Sequence, residues 1–534
     1  MPRDGHSDFH VDTMSTQSDG DADRGSFRFP CLTLAYHADW SRIGERAFIG
    51  HVIARPIRIS RTEPSFSRRG STARSALTDP YVSRDPITLT WNGANGVTVS
   101  AAPEYKRLVI NGEPVSAEWQ GSADDIANGV VIELGKRVVL VLHMATKRDA
   151  PPALDMVGDS DAIDDIRIAI LRVADLPVSV LIRGETGVGK EHVAQALHNA
   201  SPRKDKPWVA INMAAVPPTT AASELFGHAK GAFTGANTAH DGMFVRADGG
   251  TLFLDEVGET PDSVQPMLLR TLETGEVQPV GQKRSQVVDT RVVAATDADL
   301  EAAQNARQFR PALFHRLSGY QISVPPLRNR REDIGPLLAH FFRDELEATG
   351  EQDALRSDPK SKPWLPIALA SRLVRFSWPG NVRQLRNVVR QIAISSRGEQ
   401  HARTDHALEQ ILANGGGASA TVAPADSTPA AADSDTPSSD KRNPEDVSEA
   451  ELLEALRAND WAIRPTAVAL GVPRSSLYGL MRKSPSIRAA TDIGDDEIRS
   501  VHKKCDGDLT KMARELCVSK RGLTLRLRTV DIED

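Results

Sequence analysis

The chain has 534 residues, which at about 150 residues per domain allows three or four domains. It is 40% apolar and 25% charged, and 65 basic against 71 acidic side chains leave a net charge of −6, so any DNA binding has to come from a local basic patch and not from a global field. Three cysteines (Cys31, Cys505 and Cys517) exclude a disulfide framework; with no apolar run of ~18 residues and no apolar core in residues 1–25, the expected location is cytoplasmic, with no membrane partner.

Residues 1–28 are rich in Asp, Ser and Gly and poor in aliphatics, which predicts disorder. From 29 to 147, short apolar runs at 31–36, 86–91, 96–101, 107–110 and 137–143 alternate with turns, two of them marked by Asn92-Gly93 and Asn111-Gly112. The pattern predicts a small all-β sandwich, with a long Ser/Arg-rich loop at 60–75. Arg42-Ile43-Gly44, Asp79-Pro80-Tyr81-Val82-Ser83-Arg84 and Asn111-Gly112 resemble the forkhead-associated (FHA) domain, a fold that binds phosphothreonine peptides. The resemblance implies a phosphothreonine protein as partner, held by Arg46, Ser83, Arg84 and Asn111. The chain departs from that family twice. Gly44-Glu45 stands where the family has Gly-Arg, with Arg46 one place later, and Ser83-Arg84-Asp85-Pro86 stands where it has Ser-x-x-His. A Glu beside a phosphate pocket repels the ligand. No receiver-type phosphoacceptor pattern is present, which argues against aspartyl phosphorelay control.

Residues 153–345 alternate β-branched runs (178–182, 208–212, 251–254, 291–295) with helical patterns, the signature of an α/β domain with a parallel sheet. Gly184-Glu185-Thr186-Gly187-Val188-Gly189-Lys190 follows the first run and opens a helical stretch, the context a phosphate-binding loop requires. Glycines there let backbone N–H groups converge on phosphate oxygens, and Lys190 adds a point charge. Glu191 takes the place of the usual Ser/Thr, so Mg²⁺ has to lean on other groups. Thr251-Leu252-Phe253-Leu254-Asp255-Glu256 places two carboxylates at the carboxyl edge of a sheet, where ligands sit in open α/β folds. Asp255 is expected to orient Mg²⁺ and its waters, and Glu256 to polarise the attacking water of ATP hydrolysis.

Gly231-Ala232-Phe233-Thr234-Gly235-Ala236, preceded by Glu224-Leu225-Phe226-Gly227-His228, resembles the signature loop of the sigma-54-dependent transcription activators, bacterial enhancer-binding proteins with an AAA+ ATPase domain. The resemblance continues through Ala294-Ala295-Thr296, Pro325-Pro326-Leu327-Arg328 and Trp378-Pro379-Gly380-Asn381-Val382-Arg383. It implies that Phe233 and Thr234 touch sigma-54 and that Asn212 holds Glu256 until hydrolysis. It also implies that Thr296 senses the γ-phosphate, that Arg310 and Arg316 reach a neighbouring subunit's nucleotide, and that Arg383 is a second sensor. Arginine fingers acting in trans imply a ring, a hexamer in this family. One departure is Asp297, where the family usually has Asn.

Residues 346–411 are expected to form the helical AAA+ subdomain, and 412–446, rich in Gly, Ala, Ser, Thr, Pro and Asp, a flexible linker. Residues 447–486 read helix, glycine turn, helix and resemble the Fis-type helix-turn-helix that ends these activators. Arg474, Ser475, Ser476 and Tyr478 would then lie near base edges or phosphates of double-stranded upstream DNA, and Arg482 on its backbone. Residues 492–531 repeat the pattern, with Leu470 aligned on Leu516 and Leu477 on Leu523, and with Lys520 and Arg521 among its basic residues. The expected function is therefore a transcriptional regulator that hydrolyses ATP with Mg²⁺ to remodel the sigma-54 RNA polymerase closed complex. The alternatives are a DNA-binding regulator with a decayed ATPase, or another AAA+ remodeller.

Overall fold

The fold is that of a computed structural model, which describes residues 28–49, 56–93, 96–101, 108–232, 238–356 and 362–414. Toward the C-terminus it describes 448–458, 466, 469–470, 484, 495–505, 511–512, 515–516 and 523. The chain divides into two units, Met1–Ser419 and Ala420–Asp534.

The first unit begins with two antiparallel sheets. Arg46–Phe48, Arg28–Tyr36, Val138–Thr146, Val130–Leu134, Val109–Ile110 and Glu113–Pro114 form a six-stranded sheet in that spatial order. Pro56–Ile59, Ile87–Trp91, Val97–Ser100 and Glu118–Gly121 form a four-stranded one. Leu32, Leu34, Ile132, Leu140 and Leu142 of the larger sheet meet Leu89, Val97 and Val99 of the smaller in one core. This is the β-sandwich that the alternation predicts.

The other face of the larger sheet is also dry. Tyr36, Val131, Val139 and Val141 share a second core with Phe342, Trp364, Leu373, Val374 and Trp378, from the helical region that follows the parallel sheet. Trp40 joins them, with its ring edge-on to Phe342 at 5.7 Å, and Phe342 meets Trp364 in the same manner at 5.5 Å. The Tyr36 hydroxyl donates to the Leu365 carbonyl at 2.6 Å. At Gly335 an added Cβ would lie 2.4 Å from the Ala35 carbonyl oxygen, so only glycine allows the first turn of the Ile334–Thr349 helix to approach the sheet. That helix runs across the 345/346 boundary expected between the α/β and helical parts. Its apolar stripe is continuous, so the helical region begins earlier than the composition suggests.

Between these elements lies a five-stranded parallel sheet, in the order Trp208–Asn212, Thr251–Asp255, Arg291–Thr296, Val180–Arg183, Tyr320–Ser323. Each face is buried: Leu181, Leu252, Leu254 and Ala294 serve one core, and Val180, Ile182, Phe253 and Ala295 the other. Burial on both sides is why these strands read as unbroken apolar runs.

In the second unit the described helices are Glu449–Ala458 and Asp495–Lys504. The Leu470 amide donates to the Thr466 carbonyl at 3.0 Å and the Leu516 amide to the Met512 carbonyl at 2.9 Å. Leu470 and Leu516 are both buried, so the two repeat copies share a helical turn in the same register. Arg474, Ser475, Ser476, Tyr478, Arg482, Lys520 and Arg521 lie outside the described residues. Among the described residues, no helix is long and apolar enough to cross a membrane.

Candidate nucleotide site

The strand Val180–Arg183 leads into the glycine loop, and the helix Lys190–Asn199 begins at its end. Gly189 is the helix N-cap at φ +105°, with nothing within 4 Å of where a Cβ would sit and no side chain capping the helix. The first N–H groups of that helix therefore face an open cradle, the geometry that binds phosphate. Gly187, at φ +80°, lies so close to the helical region that a Cβ would stand 2.5 Å from the Gly380 carbonyl oxygen.

Lys190 is buried; its Nζ donates to the Gly184 carbonyl at 2.9 Å and lies 3.3 Å from Glu256 Oε1. Glu256 is the first residue past the Thr251–Asp255 strand and adopts φ +50°, a left-handed conformation that costs a non-glycine residue energy and is found at functional sites. That turn aims its carboxylate at Lys190. Burial raises the Glu256 pKa above the usual carboxylate value, and the Lys190 ammonium opposes the rise. A carboxylate with a raised pKa is a better proton acceptor than an ordinary one.

Asn212 does not hold Glu256 here. Its Nδ2 donates to Asp255 Oδ2 at 2.9 Å, because parallel pairing of the two strands sets Asn212 directly beside Asp255. Glu256 instead accepts the Asp297 amide at 3.2 Å. Thr296, fully buried at the end of the adjacent strand, accepts the Ala298 amide at 3.0 Å through its hydroxyl, and its carbonyl accepts the Gly184 amide at 3.3 Å. Asp297 accepts a hydrogen bond from the Thr186 hydroxyl, which holds its carboxyl below the usual range.

The helical region grips the loop through Asn381, Arg328 and Arg330, together with the expected second sensor Arg383. Buried Asn381 donates to Glu185 Oε2 at 3.0 Å and to the Thr186 carbonyl at 3.1 Å, while its own Oδ1 accepts the Leu327 amide at 2.8 Å. Arg328 pairs with Glu185 through both guanidinium nitrogens, one at 2.8 Å, and holds that carboxyl below its usual value. Arg330 donates to the Val188 carbonyl at 3.0 Å. The Arg383 amide donates to the Gly187 carbonyl at 3.2 Å, and its side chain is exposed. Pro325-Pro326-Leu327-Arg328 and Trp378-Pro379-Gly380-Asn381 carry the contacts of Arg328 and Asn381, whereas Arg330 lies in neither segment.

Arg310 and Arg316 are exposed, and their described side-chain contacts lead away from the glycine loop. Arg310 lies 3.5 Å from Asp262, and Arg316 donates to the Leu272 carbonyl at 2.8 Å. Phe233 and Thr234 lie outside the described residues; Gly227–His228 pairs antiparallel with His240–Asp241 at the base of their loop. In the β-sandwich, Arg46 is buried and donates to the Asp159 carbonyl, and Asn111 Oδ1 accepts the Val131 amide at 2.9 Å. Ser83 accepts the Asp85 amide at 3.1 Å and Arg84 is exposed, so no described contact brings these four together.

Residues 156–323 match the model of the sigma-54 interaction domain, and 328–422 that of the AAA+ ATPase lid domain. The anaerobic nitric oxide reductase transcription regulator NorR of Aeromonas salmonicida is 38% identical over 368 residues, 68% of this chain and 69% of that protein. The chain belongs to the sigma-54 activator family. The DNA-binding transcriptional regulator NtrC is 42% identical in Klebsiella pneumoniae over 54% of this chain and 61% of that protein. In Salmonella typhimurium it is 46% identical over 47% and 51%. The chain thus spans about half to three-fifths of the NtrC relatives it matches. As in this family, the parallel sheet with its glycine loop is an AAA+ ATPase domain and the helical region is its lid. The residues fit a nucleotide: an uncapped helix start, open space at Gly189 and a buried lysine. They also fit Mg²⁺, which needs one or two carboxylates beside the phosphates and no all-protein cage. Asp255, at the strand end beside the glycine loop, could supply such a carboxylate, and among the described residues no group of three or more His, Cys, Asp or Glu is arranged to hold a metal by itself.

Proposed function

We propose that this chain is an ATP-driven activator of sigma-54 RNA polymerase, working as a ring on upstream double-stranded DNA. The observation that carries the reading is Glu256, turned left-handed at the sheet edge and held 3.3 Å from the loop lysine, within the segment that matches the sigma-54 interaction domain. Lys190 and the first N–H groups of its helix neutralise and orient the outer phosphates. Glu256 positions the attacking water and takes its proton, and Thr296 lies one strand away to register the γ-phosphate. Asp255, steadied by Asn212, would hold Mg²⁺, which when bound screens the charge that develops on the phosphate oxygens. Exposed Arg310 and Arg316, whose described contacts are with Asp262 and the Leu272 carbonyl and not with this chain's own glycine loop, are placed to complete a neighbour's site, which supports a ring and, in this family, a hexamer.

The glycine-loop contacts of Asn381, Arg328 and Arg383 give the lid a direct report of nucleotide state. Phe233 and Thr234 pass that state to sigma-54. The buried helical turns at Leu470 and Leu516 support DNA-reading modules in the second unit, with Arg474, Ser475, Ser476, Tyr478, Arg482, Lys520 and Arg521 as contacts. For the β-sandwich, Ser83 and Arg84 stay accessible to a phosphothreonine partner, whereas Arg46 would have to leave Asp159. Control through the contact with the lid is better supported. The decisive test adds the full chain and ATP to a sigma-54 holoenzyme–promoter complex and scores hydrolysis and open-complex formation together. Both activities are expected. Hydrolysis with no open complexes would favour a remodeller of another target.

A further inference from the structure

The loop at 68–74 carries a feature that nucleotide hydrolysis does not use. Its sequence, Arg68-Arg69-Gly70-Ser71-Thr72-Ala73-Arg74, sets a serine two and three residues after paired arginines. Its base is closed by Phe66 and Ser75, whose amides and carbonyls exchange hydrogen bonds of 2.8 and 2.9 Å, with the Phe66 ring fully buried. Residues 70–74 are exposed. Gly70 at φ +74° has nothing within 4 Å of its absent Cβ, so the tip stands clear of the rest of the protein. Ser71 Oγ accepts only the Ala73 amide among its described contacts, at 3.1 Å. Ser75, by contrast, is engaged by Arg42.

The neighbouring arginine ties the loop to the ATPase domain. Arg69 forms an ion pair with Asp164, a fully buried residue on the helix Asp161–Val173, and its guanidinium also reaches the carbonyls of Asp159, Arg148 and Asp149. Asp164 is additionally met by Arg167 at 3.2 Å and Arg148 at 3.6 Å. Loss of Arg69 therefore leaves the helix its own partners and removes only the link to the loop.

We propose that Ser71 is a phosphoacceptor for a basophilic serine kinase, and that a phosphoryl group there draws Arg69 off Asp164 and releases the loop from the ATPase domain. An exposed serine behind two arginines suits a kinase groove lined with acids. In the transfer, the Ser71 Oγ–P bond forms as the bond between the γ-phosphoryl group of ATP and ADP breaks, and the hydroxyl proton passes to the kinase's base. The product carries about −1.5 to −2 charges two residues from Arg69, with acceptor oxygens that match a guanidinium fork. A dianion in water competes well for an arginine whose present partner already has two others.

The test treats the full chain with ATP and the catalytic subunit of a kinase selective for Arg-Arg-x-Ser. The site is mapped by peptide mass, and amide hydrogen exchange is followed over residues 159–165. Phosphate on Ser71, absent from Ser71→Ala, with exchange about tenfold faster over 159–165, is the expected result. Unmodified Arg69→Ala is expected to show the same acceleration while the parallel sheet stays protected. If the kinase labels the isolated 66–76 peptide but not the intact protein, or labels another residue, the site assignment is overturned. If Ser71 is labelled and exchange over 159–165 does not change, the release is overturned.

Discussion

Lys190 stands between the Gly184 carbonyl and the Glu256 carboxylate, and each of its contacts is one a phosphate would share or displace. Lys190→Ala is expected to abolish nucleotide binding, read by titration with a fluorescent ATP analogue; unchanged affinity would contradict the site. Glu256→Gln keeps the volume and removes the base. ATP should still bind, with turnover down by about 10²–10⁴ in a phosphate-release assay. Asn381 was legible only as part of a motif, because its role depends on a chain segment almost two hundred residues away in sequence. Asn381→Ala leaves the buried Leu327 amide without its partner and removes the donor to the Thr186 carbonyl, while Glu185 keeps Arg328, a loss of about 1–3 kcal/mol. It should weaken ATP affinity by roughly tenfold or more if the lid closes on the loop. Arg328 and Arg330 belong to the same group. The sequence shows arginines there, and only the fold shows that they grip Glu185 and the Val188 carbonyl.

At the scale of elements, Thr234→Ala tests the signature loop. ATP hydrolysis should stay near the parent rate while open-complex formation is lost, and normal activation by this variant would remove the loop from the proposal. The strand Val138–Thr146 carries a different expectation. Its His143 is buried within 2.7 Å of the Thr33 hydroxyl and 3.6 Å of Glu332, and burial pushes its pKa from 6.5 down to about 3. The unfolded chain takes up a proton below pH 6.5 that the folded chain refuses, so His143 costs nothing above that value. Stability falls as the pH drops from about 6.5 toward 3, with a limiting slope of about 1.4 kcal/mol per pH unit. Burial raises the pKa of nearby Glu332 and acts in the opposite sense. The comparison is therefore the denaturation midpoint of the parent against His143→Gln between pH 6.5 and 4.5, and the variant should show the flatter profile.

At the scale of the whole first unit, the β-sandwich and the lid share a core, so removing the N-terminal residues would strip one wall from the lid. Trp40→Ala should cost about 3–5 kcal/mol. Because Trp40 contacts both Tyr36 and Phe342, sandwich and lid should melt together and at lower temperature, followed by calorimetry. Two separate transitions with only one displaced would show that the cores are energetically independent. Control by the N-terminal domain is better tested with surface variants such as Arg69→Ala than with a deletion.

The features legible from the residues alone are local. Alternating and unbroken apolar runs indicated strands, the glycine spacing between a strand and a helix indicated a phosphate-binding loop, and Asp255-Glu256 directly follow an apolar run. The signature segments carried the family. The tertiary structure decided what those segments touch. Val139 and Val141 alternate with Leu140 and Leu142, so the strand is apolar at every position from 138 to 142; this is the mark of a sheet buried on both faces, but it does not say what covers the second one. The lid does. Asn212 beside Asp255, Asn381 on the glycine loop and Arg46 turned inward to Asp159 follow in the same way from register and packing between distant segments. Side-chain period reports which face of an element is buried, whereas the identity of the partner depends on long-range chain path, which no local pattern encodes.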